Sequence, residues 1–381
     1  NNPLLILILV LDLKVQYTRI FNSISFMTFC IALGFGILAI VLVITSPSLL
    51  NDYPQLAISD KDSVKFILTF TIGGIFTLTI FSYTMVMDVL NRSISNYSPR
   101  LIPLILKEKH HQIILGVTSG TIIYCMIMAA FVSGKSSDQF PSVAAPLAIL
   151  MGIFNILLFI YFIHSVSQSI HVNYVLRKSF SNTKNAIYHI KNLPFEKTCE
   201  EKSEDFWEQY VSMTQCGYLN KIRIEKLIGI SEEHNIQIKL LKKMGSFILE
   251  NQPVIAVSRQ INDSIEQKIK RCISIDRGEP IDVIEVGFKH MVEVGVKASS
   301  PAINDPGTSL MSIDYLTQLF LLRKELPEFN TLKSDKGGVL KMDMVSYQKL
   351  AETCFLEMET YMKDDPVLKM KISESKGIIG L

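Results

Sequence analysis

Four stretches in the first half of the chain carry no charged residue, and each is about as long as a bilayer is thick. They run from Ser25 to Thr45, Phe66 to Met87, Ile113 to Val132 and Val143 to Ile163. A helix needs roughly 20 consecutive apolar residues to cross hydrocarbon, and a soluble domain seldom carries even one such window. The pattern predicts an α-helical membrane domain with four transmembrane helices, with the lipid bilayer as its first partner. Leu4 to Val10 is apolar but too short to span, and no small-residue cleavage site follows it. The chain starts at Asn1 without Met, leaving room for preceding residues.

The connections set an expected orientation. The 88–112 segment carries Arg92, Arg100, Lys107 and Lys109, and the stretch after the fourth window carries Arg177, Lys178, Lys184 and Lys191. The other two loops hold Lys61, Lys65 and Lys135, diluted by Asp52, Asp60, Asp62 and Asp138. Basic loops stay in the cytoplasm, so both termini and the second half are expected inside a bacterial inner membrane. The net charge of +2 implies no attraction to nucleic acid. The six cysteines are scattered, with no CxxC and no histidine at metal spacing, so neither a disulfide framework nor a metal site is signalled and no cofactor is expected.

The second half reads as a cytoplasmic α+β region, a small β module plus helices. After a polar stretch from Glu196 to Asp205, the segments GYLNKIRI, IQIKLLKK, MGSFILENQP and VIAV alternate around one helical segment, IEKLIGISEEHN. From Gln260 the chain reads as helical to its end, with helix starts at Glu279-Pro280, Ser300-Pro301, Asp305-Pro306 and Asp365-Pro366. Three divisions follow: 1–178, a membrane domain with a stalk; 179–258, a linker helix and β-rich module; and 259–381, a helical domain carrying the turn SSPAINDPGTS.

The segments YSPRLIPLILKEK, GVTSGTIIYCMIMAAF, YFIHSVSQSIHV, CGYLNKI, MGSFILENQPVIAV and SSPAINDPGTSLMSIDYL, in this order, resemble the bacterial predicted membrane proteins grouped as domain of unknown function 2254. The resemblance runs from about residue 12 to DDPVLKMKISES. Ser299 and Gly295 depart from the usual apolar residue and Ala-rich helix. The resemblance implies a four-span membrane domain with a cytoplasmic region and assigns no chemistry, so function has to come from residues.

Two places stand out. In the second window Thr69, Gly73, Thr77, Thr84 and Asp88 recur at steps of four or seven, which places them on one helical face. Such a stripe serves either close helix packing or a wet wall, with Asp88 forming a carboxylate ring at the mouth of a homo-oligomer's pore. The third window adds Thr118 to Thr121, and the fourth adds Gly152, Asn155 and His164. The second place is the turn, where Ser300, Asn304, Asp305 and Thr308 surround two helix-start signals. Asp305 is expected to cap a helix, while the freed N–H groups and side-chain oxygens are also suited to an inorganic ion or small effector. His290, Glu285 and Glu293 read as ordinary helix surface.

No GxSxG, P-loop, GxGxxG or HExxH occurs, and the chain is read as a non-enzyme. The leading expectation is a homo-oligomeric ion channel or channel-like transporter with a cytoplasmic regulatory region. The alternative is a non-conducting membrane scaffold or sensor whose second half binds a small molecule or protein.

Overall fold

The computed structural model describes residues 24–45, 58, 60–96, 109–134, 143–169, 172–200 and 206–381. Leu4 to Val10, Asp52, Arg100, Lys107, Lys135, Asp138 and His171 lie outside them, as does the Arg92 side chain. The chain divides into two compact units, one within residues 1–92 and 105–171, the other within 93–104 and 172–381.

The first unit holds helices α1 (Ile24–Thr45), α2 (Lys61–Asn96), α3 (Lys109–Gly134) and α4 (Ala144–Ser169). Each is long and apolar enough to cross a membrane, over Phe26–Thr45, Lys61–Asp88, Gln112–Gly134 and Ala144–Gln168. The third is the central one, since 44% of its apolar window is buried against 17–22% for the others. Small residues let α1 close on it. A Cβ on Gly116 would stand 2.9 Å from the Ile31 side chain, and one on Gly120 would stand 2.8 Å from Phe35, so only glycine admits this approach. The core there comprises Ala39, Val43, Val64, Leu68, Tyr124, Met128 and Ala144.

The second unit is mixed. Helix α5 (Val172–Lys191) buries Val175, Leu176, Ser179, Thr183, Ile187 and Ile190, a stripe at helical spacing. Strands follow at β1 (Glu196–Thr198), β2 (Gln209–Ser212) and β3 (Gly217–Ile222), then helix α6 (Ile224–His234), β4 (Gln237–Leu240), β5 (Phe247–Ile248) and β6 (Pro253–Val257). After them come α7 (Asp263–Lys270), β7 (Ile273–Asp276), α8 (Ile284–Ala298), α9 (Pro306–Lys324), β8 (Thr331–Lys333), β9 (Val339–Met342), α10 (Tyr347–Tyr361) and α11 (Pro366–Ile379). A six-stranded sheet runs β1-β8-β9-β4-β6-β2 and a three-stranded one β5-β3-β7. Every pairing is antiparallel except β4 with β9, where Ile238 faces Leu340 in a parallel register.

The β pattern expected for 217–257 is present, preceded by strand β2, which was not expected, but the segment after Gln260 is not wholly helical. It supplies β7, β8 and β9. In β7 the alternation of Ile273 and Ile275, both buried, with exposed Ser274 and Asp276 is a period-two signal only four residues long. The β8–β9 hairpin turns at Gly337, whose φ of +89° needs a residue without Cβ, and the Ser334 and Gly337 N–H groups close it. Strands this short take their conformation from their neighbours in the sheet.

Two of the four expected helix starts are real. Asp305 and Asp365 each accept a backbone N–H and place Pro at the first helical position. Glu279-Pro280 starts nothing, since α8 begins at Ile284 after Val283. Ser300-Pro301 makes a single turn. His290 is buried at 2% exposure, a correction to its reading as helix surface: it lies on the inward face of α8 with Ile284, Gly287, Met291 and Val294.

Candidate functional site

The polar stripe of α2 faces outward. Thr69, Gly73, Thr77, Thr84 and Asp88 are all exposed, while Val64, Leu68, Ile75 and Ser82 turn inward. A Cβ built on Gly73 or Gly74 meets nothing within 4 Å. The stripe therefore packs against no other described helix of its own protomer. Two of its hydroxyls are turned onto the helix itself, with Thr77 donating to the Gly73 carbonyl at 2.9 Å and Thr84 to the Ile80 carbonyl at 3.0 Å. Each hydroxyl oxygen keeps lone pairs directed away from the helix. Phe70, Ile80 and Met87 are exposed on the same helix, so the polar steps are interleaved with apolar ones.

Helix α4 offers a contrast. Ile149, Leu150, Ile153, Phe154, Leu157 and Ile160 are exposed, so this stretch of the helix presents a hydrocarbon surface suited to lipid, with exposed polar residues only from Tyr161 onward. Its polar group points the other way. Asn155, 1% exposed, donates to Thr121 Oγ1 of α3 at 2.9 Å and to the Met151 carbonyl at 2.7 Å. This side-chain bridge between apolar helices holds α3 against α4. The sequence singled out both residues but could not pair them. His164 is exposed.

The SSPAINDPGTS turn joins α8 to α9. Ser299 and Ser300 turn their hydroxyls back onto the Val296 and Lys297 carbonyls at 2.9 and 2.7 Å, satisfying acceptors at the end of α8. The Ile303 and Asn304 N–H groups both reach the Ser300 carbonyl. Asn304 sits at φ +50°, a left-handed conformation that asparagine tolerates. The Asp305 N–H then returns to the Ala298 carbonyl at 2.9 Å. Both Asp305 oxygens meet Thr308, Oδ1 taking its N–H at 3.1 Å and Oδ2 its hydroxyl.

The turn thus contains one helix end and one helix start. Ser309 donates to the Gly295 carbonyl at 2.9 Å, and Ser312 donates to the Met291 carbonyl. These hydroxyl bridges lock α9 against α8. They come from Ser309, the last residue of the motif, and from Ser312, three residues further on.

Further along α9, Arg323 is 1% exposed. Its guanidinium donates to the Leu326 and Val345 carbonyls at 3.1 and 3.2 Å and to Glu328 at 3.2 Å. An arginine this deep is tolerated because both terminal nitrogens find acceptors, one of them a carboxylate. Nothing in the local sequence marks Arg323 as buried.

The chain matches, over residues 22–375, the family described as predicted membrane protein (DUF2254). It belongs to this family. Similar proteins include uncharacterized proteins of Mycobacterium bovis and Mycobacterium tuberculosis, each 22% identical over 287 residues, which is 71% of this chain and 53% of the relative. The chain spans about half the length of the curated relatives it matches. No solved structure matches. The DUF2254 description agrees with the four candidate spans and assigns no reaction, so the surface of α2 and the α8–α9 turn are the features from which a function has to be read.

Proposed function

We propose that the chain is a non-enzymatic, homo-oligomeric membrane protein in which α2 helices from several copies face one another and line a path for an inorganic cation. The observation that supports this is the difference between two outward faces. From Ile149 to Ile160 the exposed α4 surface is hydrocarbon throughout, whereas α2 exposes Thr69, Gly73, Thr77, Thr84 and Asp88. Packing within the protomer does not account for the α2 stripe, because no described helix of the same chain covers it.

In the oriented bilayer, with both termini and the second unit on the cytoplasmic side, Asp88 sits at the inner end of its span. A ring of such carboxylates raises local cation concentration. Phe70 and Ile80, repeated around the axis, form apolar constrictions that gate by dewetting. The second unit then acts as the regulatory region.

The test pairs assembly with conduction. Cysteine placed at Thr77 is expected to cross-link copies in native membranes, and purified protein in planar bilayers is expected to pass cations with a preference that Asp88→Asn lowers. Monomeric Thr77→Cys protein labelled only by lipid-phase reagents, together with bilayers silent at every voltage, pH and tension, would sink the proposal and leave a scaffold in its place.

A further inference from the structure

A cavity of about 70 Å³ opens in the second unit between α5, the start of α8 and the residues after β9. Three of its lining side chains are thioethers, Met244, Met342 and Met344, and His189 of α5 stands in the same wall. Asp282, Glu285 and Asp343 also line it, and among the described residues no lysine or arginine does.

Three separate elements bring the sulfur-bearing residues together. Met244 is carried on the β4–β5 turn, where Gly245 adopts φ +80° and approaches α8 so closely that an added Cβ would stand 2.9 Å from Val286. The Gly245 N–H pins this turn to the Leu219 carbonyl at 2.9 Å. Met342 ends β9, 5% exposed, with its N–H on the Asn330 carbonyl at 2.8 Å. Met344 lies in the following loop, which is tied on both sides. The Val345 N–H reaches Glu285 at 3.4 Å, and the Val345 carbonyl takes the buried Arg323 guanidinium at 3.2 Å.

Methionine in a closed core is a flexible gap filler, yet here the gap is left open, and its three acidic lining residues favour a cation. Among the described residues no three His, Cys, Asp or Glu converge as metal ligands, whereas three thioethers and an imidazole share the wall of this cavity. Thioethers with one imidazole are soft donors, and soft donors select monovalent copper. We propose that this cavity binds a soft monovalent metal ion, Cu(I) or its analogue Ag(I), through Met244, Met342 and Met344 with His189 as the fourth donor. The three rotatable bonds of each methionine let the sulfurs close on the ion, while the carboxylates offset its charge.

The full chain in detergent, kept anaerobic, would be titrated against the Cu(I)–bicinchoninate complex. The exposed thiols of Cys30, Cys199 and Cys216 would be blocked with N-ethylmaleimide in every sample, because thiolates take the same ion. The expected result is one equivalent of Cu(I) withdrawn per chain. Met244→Leu with Met344→Leu should weaken this by at least the roughly 10–100-fold that losing an outer-shell group costs a metal site. Leucine keeps size and apolarity, and Met344→Leu alone, in a half-buried loop position, serves if the double variant fails to fold. Wild-type protein that withdraws no copper, or variants that compete as well as wild type, would overturn the assignment.

Discussion

Replacing Gly287 by alanine tests how α5 and α8 are fitted together. A Cβ at this position would stand 1.9 Å from Thr183 Oγ1 and 2.8 Å from both Thr183 Cβ and Cγ2, where real contacts essentially never fall under 3.0 Å. Thr183 has little freedom to give way: it is 1% exposed, and its hydroxyl donates to the Ser179 carbonyl at 2.8 Å. The helices must therefore separate by about 1 Å along a closed core, and overpacking of this kind costs about 1–3 kcal/mol. Against this, alanine is favoured over glycine within a helix by about 1 kcal/mol. The difference leaves Gly287→Ala destabilising by up to about 2 kcal/mol.

Thr183→Ala removes Oγ1 and Cγ2 and leaves only the 2.8 Å approach to Cβ, which a shift of a few tenths of an ångström relieves. In that background Gly287→Ala should be neutral or stabilising by up to about 1 kcal/mol. Urea unfolding in detergent micelles, followed by the fluorescence of Trp207, the single tryptophan, measures all four corners of the cycle. An alanine at 287 that costs the same with Thr183 present or absent would refute the steric account.

Three further outcomes are expected. Asp305→Ala should cost about 0.5–2 kcal/mol through the lost cap on Thr308. Asn304→Ala should cost about 1–2 kcal/mol because its left-handed backbone disfavours Cβ, whereas Asn304→Gly should be tolerated; urea unfolding of the three variants ranks them, and a destabilising glycine would mean that the Asn304 side chain has a role of its own. Ion pairs with Lys333 at 2.7 Å and Lys341 at 3.3 Å hold the Glu200 carboxyl below its ordinary range. A depressed carboxylate stabilises the fold above its unfolded value and loses that contribution as pH falls through the folded one. Glu200→Gln should therefore be less stable than wild type at pH 7, and the gap should close below about pH 4; a gap constant from pH 7 to pH 3 in urea unfolding would exclude the electrostatic origin.

Much of the first unit was legible because one property, freedom from charge over 20 or more residues, is read without any tertiary knowledge. The two aspartate caps were legible for the same reason: Asp-Pro is a local signal, and Asp305 needs only Thr308 three residues on. What stayed hidden depends on which elements meet. Gly287 reads as an ordinary helix glycine until Thr183, about a hundred residues earlier, is placed against it. Arg323 reads as a surface charge near a helix end until the loop at Val345 supplies a carbonyl. The cavity's methionines are scattered from Met244 to Met344, and only the pairing of β9 with β4 brings the segments carrying them together. The stripe on α2 is the intermediate case, since periodicity put its members on one face and left open which way that face turned.

The parallel pairing of β4 with β9 also dictates an order of events during synthesis. β4 can pair with β6 within seconds of emerging, but its other edge waits for β9, about a hundred residues further on, Gln237 to Val339. At roughly 5–20 residues per second this is a delay of about 5–20 s. Throughout it the nascent chain displays an apolar strand edge, a template for pairing with any other extended segment nearby. Ribosomes translating the same message at neighbouring sites would hold several such edges close together. The yield of folded protein should then depend on how fast translation proceeds through residues 258 to 338, a quantity set by codon choice rather than by any contact in the finished fold.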